Sequence, residues 1–321
     1  PPQVAGASDT GVSRGDAVTA DVTPTLTGHA GSSEAHALVA LYVDDGWVAD
    51  ITAGADGSWS YTLETPLSDG SHTASITATD LAGNMSPRTA DQILRIDTIA
   101  PATPEDFAVS RASDSGRSDS DRLTNEVAPV LTGQGTPGEI IRILNGDAPI
   151  GAAEVRADGR WRVLLEEGLS EGTHLLQALT EDLAGNRSGA TAPLAVTVDT
   201  TGPQEPHAPD LAKAHDTGRD GEDNITADAM PTFTGSAVGD HVTAFSSRDG
   251  IIGRADIGDG GGWTLSLTDP LSDGVHAISL KATDAAGNVS ERSAALAVTV
   301  DTVAPDGPTV ALDDASNSHW L

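Results

Sequence analysis

Aspartates that recur at a fixed interval are the residues of this sequence best suited to chemistry. The pattern D-x-G-x4-D-x2-T occurs three times: Asp9, Gly11, Asp16 and Thr19; Asp114, Gly116, Asp121 and Thr124; Asp216, Gly218, Asp223 and Thr226. A second pattern, D-x-A-G-N, begins at Asp80, Asp182 and Asp284, and a third, D-T-x-x-P, begins at Asp97, Asp199 and Asp301. Clustered carboxylates repel one another unless a cation sits among them. Calcium suits such a set, because it takes about six to eight hard oxygens, backbone carbonyls included, with tolerant geometry. Magnesium demands stricter geometry and keeps more water. Zinc is disfavoured, since the chain has no Cys and no His recurs inside the Asp clusters. The Gly of D-x-G permits a tight turn that points a carbonyl inward. Each pattern also has a purely structural use: Asp caps turns and A-G-N makes a good hairpin turn. The Asn of D-x-A-G-N is accordingly read as a turn former.

The elements that must position these residues follow from a repeat. Trp59, Trp161 and Trp263 are separated by the same interval as His72, His174 and His276, and as the three D-x-A-G-N words. Self-similarity at a fixed period marks a repeat architecture. Three units result, 1–98, 99–200 and 201–302, followed by 303–321 as the stub of a fourth unit or an irregular tail. In the second unit, short apolar runs occupy 127–133, 139–145, 151–157, 160–166, 173–181 and 191–198, with a weak leading run at 105–110. Alternation in Trp161, Val163, Leu165 and in Leu194, Val196, Val198 has the period of half-buried strands, and no window shows a helical stripe. About seven short antiparallel strands in ~100 residues is the size of an immunoglobulin-like sandwich. The fold class is therefore all-β, with tandem immunoglobulin-like β-sandwich domains arranged head-to-tail as an extended rod. Each repeating Trp reads as a core anchor, and each repeating His as a residue opening a strand after a turn.

This fold assigns the aspartates to positions. Strands alternate in direction, so connections alternate between the two poles of a sandwich. The D-x-G stretch follows the first strand, and the linker Asp ends the last; both lie at the far pole. The D-x-A-G-N turn lies at the pole where the chain comes in. Head-to-tail stacking then predicts convergence of Asp9, Asp16, Asp97 and Asp182 at the first junction. At the second, Asp114, Asp121, Asp199 and Asp284 are expected to converge. Asp80, Asp216, Gly218, Asp223 and Asp301 are the corresponding candidates at the outer ends, and Ca2+ is the expected ion throughout.

Composition sets limits on partners. The formal net charge of −31 disfavours nucleic acid, whose phosphates such a chain repels. Asp recurs singly between apolar stretches rather than in the blocks of an acidic tail. No apolar run is long enough to span a membrane, and no signal-peptide pattern opens the chain. A monomeric fragment of a longer protein is expected, with neighbouring repeats of the same chain as its partners. No GxSxG, HExxH or phosphate-cradling glycine loop occurs, and an enzyme is the least favoured class. The N-x-S/T triplets at Asn84, Asn186, Asn224 and Asn288 read as turn sequence.

The words DTIAP (97–101), SDSG (113–116), DGRW (158–161) and DLAGN (182–186), in this order and spacing, resemble the bacterial Ig-like repeats of giant RTX-type adhesins exported by type I secretion. The resemblance covers the three units nearly end to end. It implies an extracellular, calcium-stiffened stalk on a bacterial cell surface. Such a stalk serves adhesion or biofilm formation and holds a distal region that binds a cell-surface or substratum ligand. Three departures stand out: GGGW at 260–263 replaces DG-x-W, Gly202 replaces Ala in the second linker, and Ser318, within the closing NSHWL, stands where an Asp is expected. The alternative is an Ig-like module that itself binds a host or cell-surface glycan or protein, to which Trp47, Tyr42 and the RGD triplet at 14–16 point.

Overall fold

A computed structural model describes residues 1–29 and 31–309. The first repeat has eight strands: β1 (Gln3–Val4), β2 (Val18–Thr19), β3 (Thr25–Gly28), β4 (Leu38–Val43), β5 (Gly46–Thr52), β6 (Trp59–Thr62), β7 (Gly70–Thr79) and β8 (Gln92–Ile96). They form a three-stranded sheet in the order β1-β3-β6 and a five-stranded sheet in the order β2-β8-β7-β4-β5. Neighbours run antiparallel except β2 and β8, a two-residue parallel pair with Val18 opposite Arg95 and Thr19 opposite Ile96. The chain therefore leaves one sheet after β1 and joins the other at β2. Seven antiparallel strands were expected from the pattern; the eighth is a Val-Thr step too short to show a period.

The second repeat has the same two sheets. Arg160–Leu164, Val130–Gln134 and Glu105–Val109 form one, and Leu123–Thr124, Leu194–Val198, Gly172–Glu181, Ile140–Asn145 and Ala148–Glu154 the other. In the third, Asp210–Leu211, Thr232–Ser236 and Gly262–Ser266 form one sheet. Ile225–Thr226, Leu296–Val300, Gly274–Thr283, His241–Ser246 and Gly250–Asp256 form its partner. Two compact units result: Pro1–Asp114 with Asp119–Val198, and Ser115–Ser118 with the chain from Asp199 onward. Among the described residues there is no helix long and apolar enough to cross a membrane. Ser318 and the closing NSHWL lie outside the described residues, and 303–309 contain no strand.

Each core follows from alternation. In β4 the side chains of Val39 and Leu41 are fully buried while Leu38 is exposed, and they join Leu26, Trp59 and Leu94 between the sheets. Trp59, Trp161 and Trp263 are all buried. Each indole lies against a glycine directly across the strand pair, Gly28, Gly133 or Gly235. A Cβ at any of the three would overlap its Trp ring. Large aromatic area thus fits into a small sandwich only where the opposing residue has no side chain.

The recurring histidines clamp turns. Nε2 of His72 and His174 each lies 2.8 Å from the carbonyl of Ser68 or Ser170, and His276 is 2.6 Å from that of Ser272. The other ring nitrogen meets Asp44 at 2.6 Å, Asn145 at 3.0 Å and Ser246 at 2.8 Å respectively. One imidazole therefore holds the turn before β7, or its equivalent, to the end of the neighbouring strand.

Candidate metal centre

The crossover from β1 to β2 carries the first pair of aspartates, and the same loop recurs in each repeat. Asp9 is buried, with Oδ2 accepting from the Ala17 N–H at 3.4 Å. Asp114 accepts from Arg122 N–H at 3.1 Å and Asp216 from Asn224 N–H at 3.2 Å in the same way. The three donors share a left-handed backbone, with φ of 57°, 64° and 57°. The residue before each, Asp16, Asp121 or Asp223, accepts the N–H two positions on, at 3.0, 3.1 and 3.1 Å. Both aspartates of the pattern thus accept backbone N–H groups of the loop that leads back into the second sheet.

One atom in each loop has no such use. Oδ1 of Asp9, of Asp114 and of Asp216 is buried and has no hydrogen-bond partner among the described residues. Burial pushes the carboxyl groups of Asp9 and Asp114 above the usual aspartate range, and the charges of Asp16 and Asp121 respectively add to the rise. A buried polar atom without a partner costs about 1–3 kcal/mol, more when charged, so such atoms are rare in folded proteins. Here the same atom is orphaned three times.

The D-x-A-G-N aspartates are differently occupied. Asp182 accepts from Asn186 N–H and from its Nδ2, both at 2.9 Å, and Asp284 does the same with Asn288 at 2.9 and 3.0 Å. Asp80 accepts from Asn84 Nδ2 at 2.7 Å, and that bond draws its carboxyl below the usual range. Asp97, Asp199 and Asp301 each accept the N–H two residues on, from Ile99, Thr201 and Val303.

Within the first compact unit, these segments meet. Thr10 donates its hydroxyl to the Ala184 carbonyl, and Asn186 Nδ2 donates to the Asp97 carbonyl at 2.8 Å. Gly11, with φ of +90°, packs against the Leu183 carbonyl so closely that a Cβ would collide with it. Asp9 and Asp16 share the loop that makes this contact. The Asp182 carboxylate is held by its own turn, and the contact is made instead by main-chain atoms and two neutral side chains. Asp114 and Asp121 belong to the first unit, and Asp199 and Asp284 to the second. Within the second unit Ser115 Oγ donates to the Ala286 carbonyl at 2.6 Å, and Asn288 Nδ2 to the Asp199 carbonyl at 2.7 Å. Gly218 differs from Gly11 and Gly116: its φ is not positive, and its N–H donates to Ile225 of the same loop at 2.8 Å. Among the described residues no three His, Asp or Glu side chains stand together as a ready metal cage. A cation at Asp9 Oδ1 would therefore draw its remaining ligands from carbonyls and water, as calcium does.

The hydroxyls of Thr10 and Ser115 and the amides of Asn186 and Asn288 are contact residues that sequence reasoning missed. Their signal was present: a hydroxyl residue precedes the Gly of every D-x-G, and Asn closes every D-x-A-G-N.

Tandem sandwiches of two unequal, mainly antiparallel sheets, joined through a crossover loop, define a protein of the immunoglobulin- and fibronectin-like class. The chain belongs to the bacterial Ig-like domain family, which it matches over residues 1–98, 101–200 and 203–302. Among solved structures it is similar to fibronectin(III)-like modules of CbhA from Clostridium thermocellum, at 14% identity and a TM-score of 0.39, with 57% of this chain and 87% of that chain covered. It is similar to a 1.5-MDa bacterial ice-binding adhesin, at 20% identity and a TM-score of 0.31, with coverage of 89% and 94%. A third likeness is to a Ca2+-stabilised, ice-binding adhesin of an Antarctic bacterium, at 20% identity and a TM-score of 0.34, with coverage of 91% and 72%. No curated protein sequence matches the chain.

Proposed function

We propose that this chain is a non-catalytic, calcium-stiffened extender segment of a bacterial cell-surface adhesin. It projects a distal ligand-binding region away from the cell for adhesion or biofilm formation, after export by type I secretion. The observation that carries the calcium reading is the orphaned, buried Oδ1 of Asp9, Asp114 and Asp216. A divalent cation satisfies that oxygen, offsets the repulsion between the paired aspartates and fixes the crossover loop. In the first unit the same loop bears Thr10 and Gly11, which touch the 182–186 turn, so an ion there would restrict bending between the first two repeats. Calcium that binds only the folded form adds stability in proportion to the logarithm of its free concentration over its dissociation constant. Extracellular modules commonly bind it at about 10⁻⁴–10⁻³ M, so folding is favoured outside the cell.

The test is calorimetric unfolding in millimolar calcium and again after chelation, with small-angle scattering on both samples. The expected result is a large fall in melting temperature and a change from an extended particle to a bent ensemble. Equal melting temperatures and equal scattering would sink the proposal and leave the aspartates as loop formers.

A further inference from the structure

The second repeat differs from its neighbours in charge. It carries eight of the chain's 17 lysines and arginines, although each repeat is acidic overall. Three of the eight, Arg156, Arg160 and Arg162, line one concavity of about 370 Å³ on the outer face of the three-stranded sheet. Arg160 and Arg162 are two apart on the strand Arg160–Leu164 and so project from the same face, and Arg156 lies at the other end of the turn, its N–H bonded to the Arg160 carbonyl at 2.9 Å. Rows of cross-strand neighbours continue the face, Thr132 beside Arg162 and Gln134 beside Arg160. At the same positions the first repeat has Gly54, Ser58 and Ser60, and the third has Gly258, Gly262 and Thr264. The basic face is therefore peculiar to one repeat.

These three side chains are also uncommitted. Arg142 and Arg187 of the same repeat both close on Glu181, at 2.7 and 2.8 Å, whereas none of the three is paired with a carboxylate among the described residues. Asp106, the carboxylate that lines the concavity, is bonded to Gln134. Three exposed guanidinium forks with a hydroxyl and an amide between them match a ligand that offers planar anionic groups together with hydroxyls.

From this arrangement we infer that the outer sheet face of the second repeat binds an anionic polysaccharide, through carboxylate or sulfate groups held by Arg156, Arg160 and Arg162. An open sheet face suits an extended polymer. Nucleic acid fits poorly: the one aromatic residue at the site, Trp161, is buried and gives no stacking platform. A duplex also carries one charge per ~1.7 Å, which a chain of net charge −31 opposes more strongly than a polymer with about one charge per sugar. Local attraction survives because other charges are screened beyond about 8 Å at physiological salt. The inference stands apart from the calcium reading, since none of the aspartate loops contributes to this face.

The test is affinity electrophoresis of the whole chain through gels holding dextran sulfate, polygalacturonate or neutral dextran, in millimolar calcium. Retardation by a charged polymer and none by neutral dextran is expected. Dextran sulfate alone would identify sulfate as the group recognised, polygalacturonate alone carboxylate. The triple variant R156Q/R160Q/R162Q should weaken binding about tenfold or more, as loss of charge-assisted hydrogen bonds implies, with its melting temperature unchanged. The corresponding triple lysine variant should retain part of the retardation. Equal retardation of the glutamine variant, which would point to calcium bridges at the aspartate loops, would overturn the inference. So would the absence of retardation by either polymer, or equal retardation by single-stranded DNA.

Discussion

Asn186 reaches out of its own turn to the Asp97 carbonyl, 2.8 Å away, while its backbone and side-chain amides hold Asp182. One side chain thus serves a turn in the second repeat and the end of the first. Asn84 makes the same turn bond to Asp80, at 2.7 Å, and is exposed. The two residues form an internal comparison. Asn186→Ala should cost about 1 kcal/mol more than Asn84→Ala, the net worth of one further hydrogen bond. Thermal unfolding of both variants in the same buffer measures the difference, and equal losses would remove Asn186 from the contact.

The glycine opposite each core Trp makes a second prediction. Gly133→Ala places a methyl group in the Trp161 ring, and overpacking of this kind costs about 1–3 kcal/mol. Trp161→Leu is itself costly, but in its background Gly133→Ala should cost less than in the parent, since the smaller side chain vacates the space. Melting temperatures of the two single variants and the double variant show whether the effects are coupled.

Protonation should act on the first repeat through His72 and Asp44. Burial lowers the His72 pKa, but the Asp44 hydrogen bond, the Ser68 carbonyl and the Asp44 charge together raise it above its ordinary value. Burial likewise opposes ionisation of Asp44, and its bonds to His72 and Thr73 bring it below the usual range. A raised histidine contributes fully below its unfolded value and loses its contribution as pH rises through the folded one. A depressed aspartate contributes fully above its unfolded value and loses its contribution as pH falls through the folded one. The pair therefore stabilises most between about pH 3.9 and 6.5. Asp44→Asn should lower the melting temperature most near the middle of that window and least towards pH 8. A difference independent of pH would rule out the pair as its source.

For the crossover loop, the sign of one substitution should depend on calcium. Asp9→Asn removes a buried charge whose Oδ1 has no partner. In chelator the variant should melt at or above the temperature of the parent chain, because an unpaired buried charge is costly. In calcium it should melt lower. Asp9 has a raised pKa, so the calcium effect in the parent should also fade as pH falls through that value. A variant less stable than the parent in both buffers would show that the carboxylate is needed only for its bond to Ala17.

Much of this architecture was legible because repeats multiply weak signals. A lone Trp after a Gly turn says little; three at one interval, each followed by alternating apolar residues, define a strand and its buried face. Alternating strand direction was likewise enough to direct the stretch around Gly11 towards the 182–186 turn. What stayed hidden depends on distance rather than order. The β2 strand is too short for a period, and the glycines facing Trp59, Trp161 and Trp263 are marked only by cross-strand register. The aspartates of D-x-A-G-N satisfy their own turns, so their carboxylates look alike in sequence whether they face a cation or an amide. Only the geometry separates Asp9, with one bonded and one orphaned oxygen, from Asp182, with both engaged.

The contact of Gly11 with the Leu183 carbonyl, together with the bond from Thr10 to Ala184, asks almost nothing of side-chain shape. Main-chain atoms are present in every repeat, and the remaining partners belong to words that every repeat spells alike. A unit can therefore be duplicated or deleted without a matching change in its neighbour. The number of repeats is then free to change in whole steps, while outward faces such as that of Arg160 and Arg162 remain free to diversify from one copy to the next.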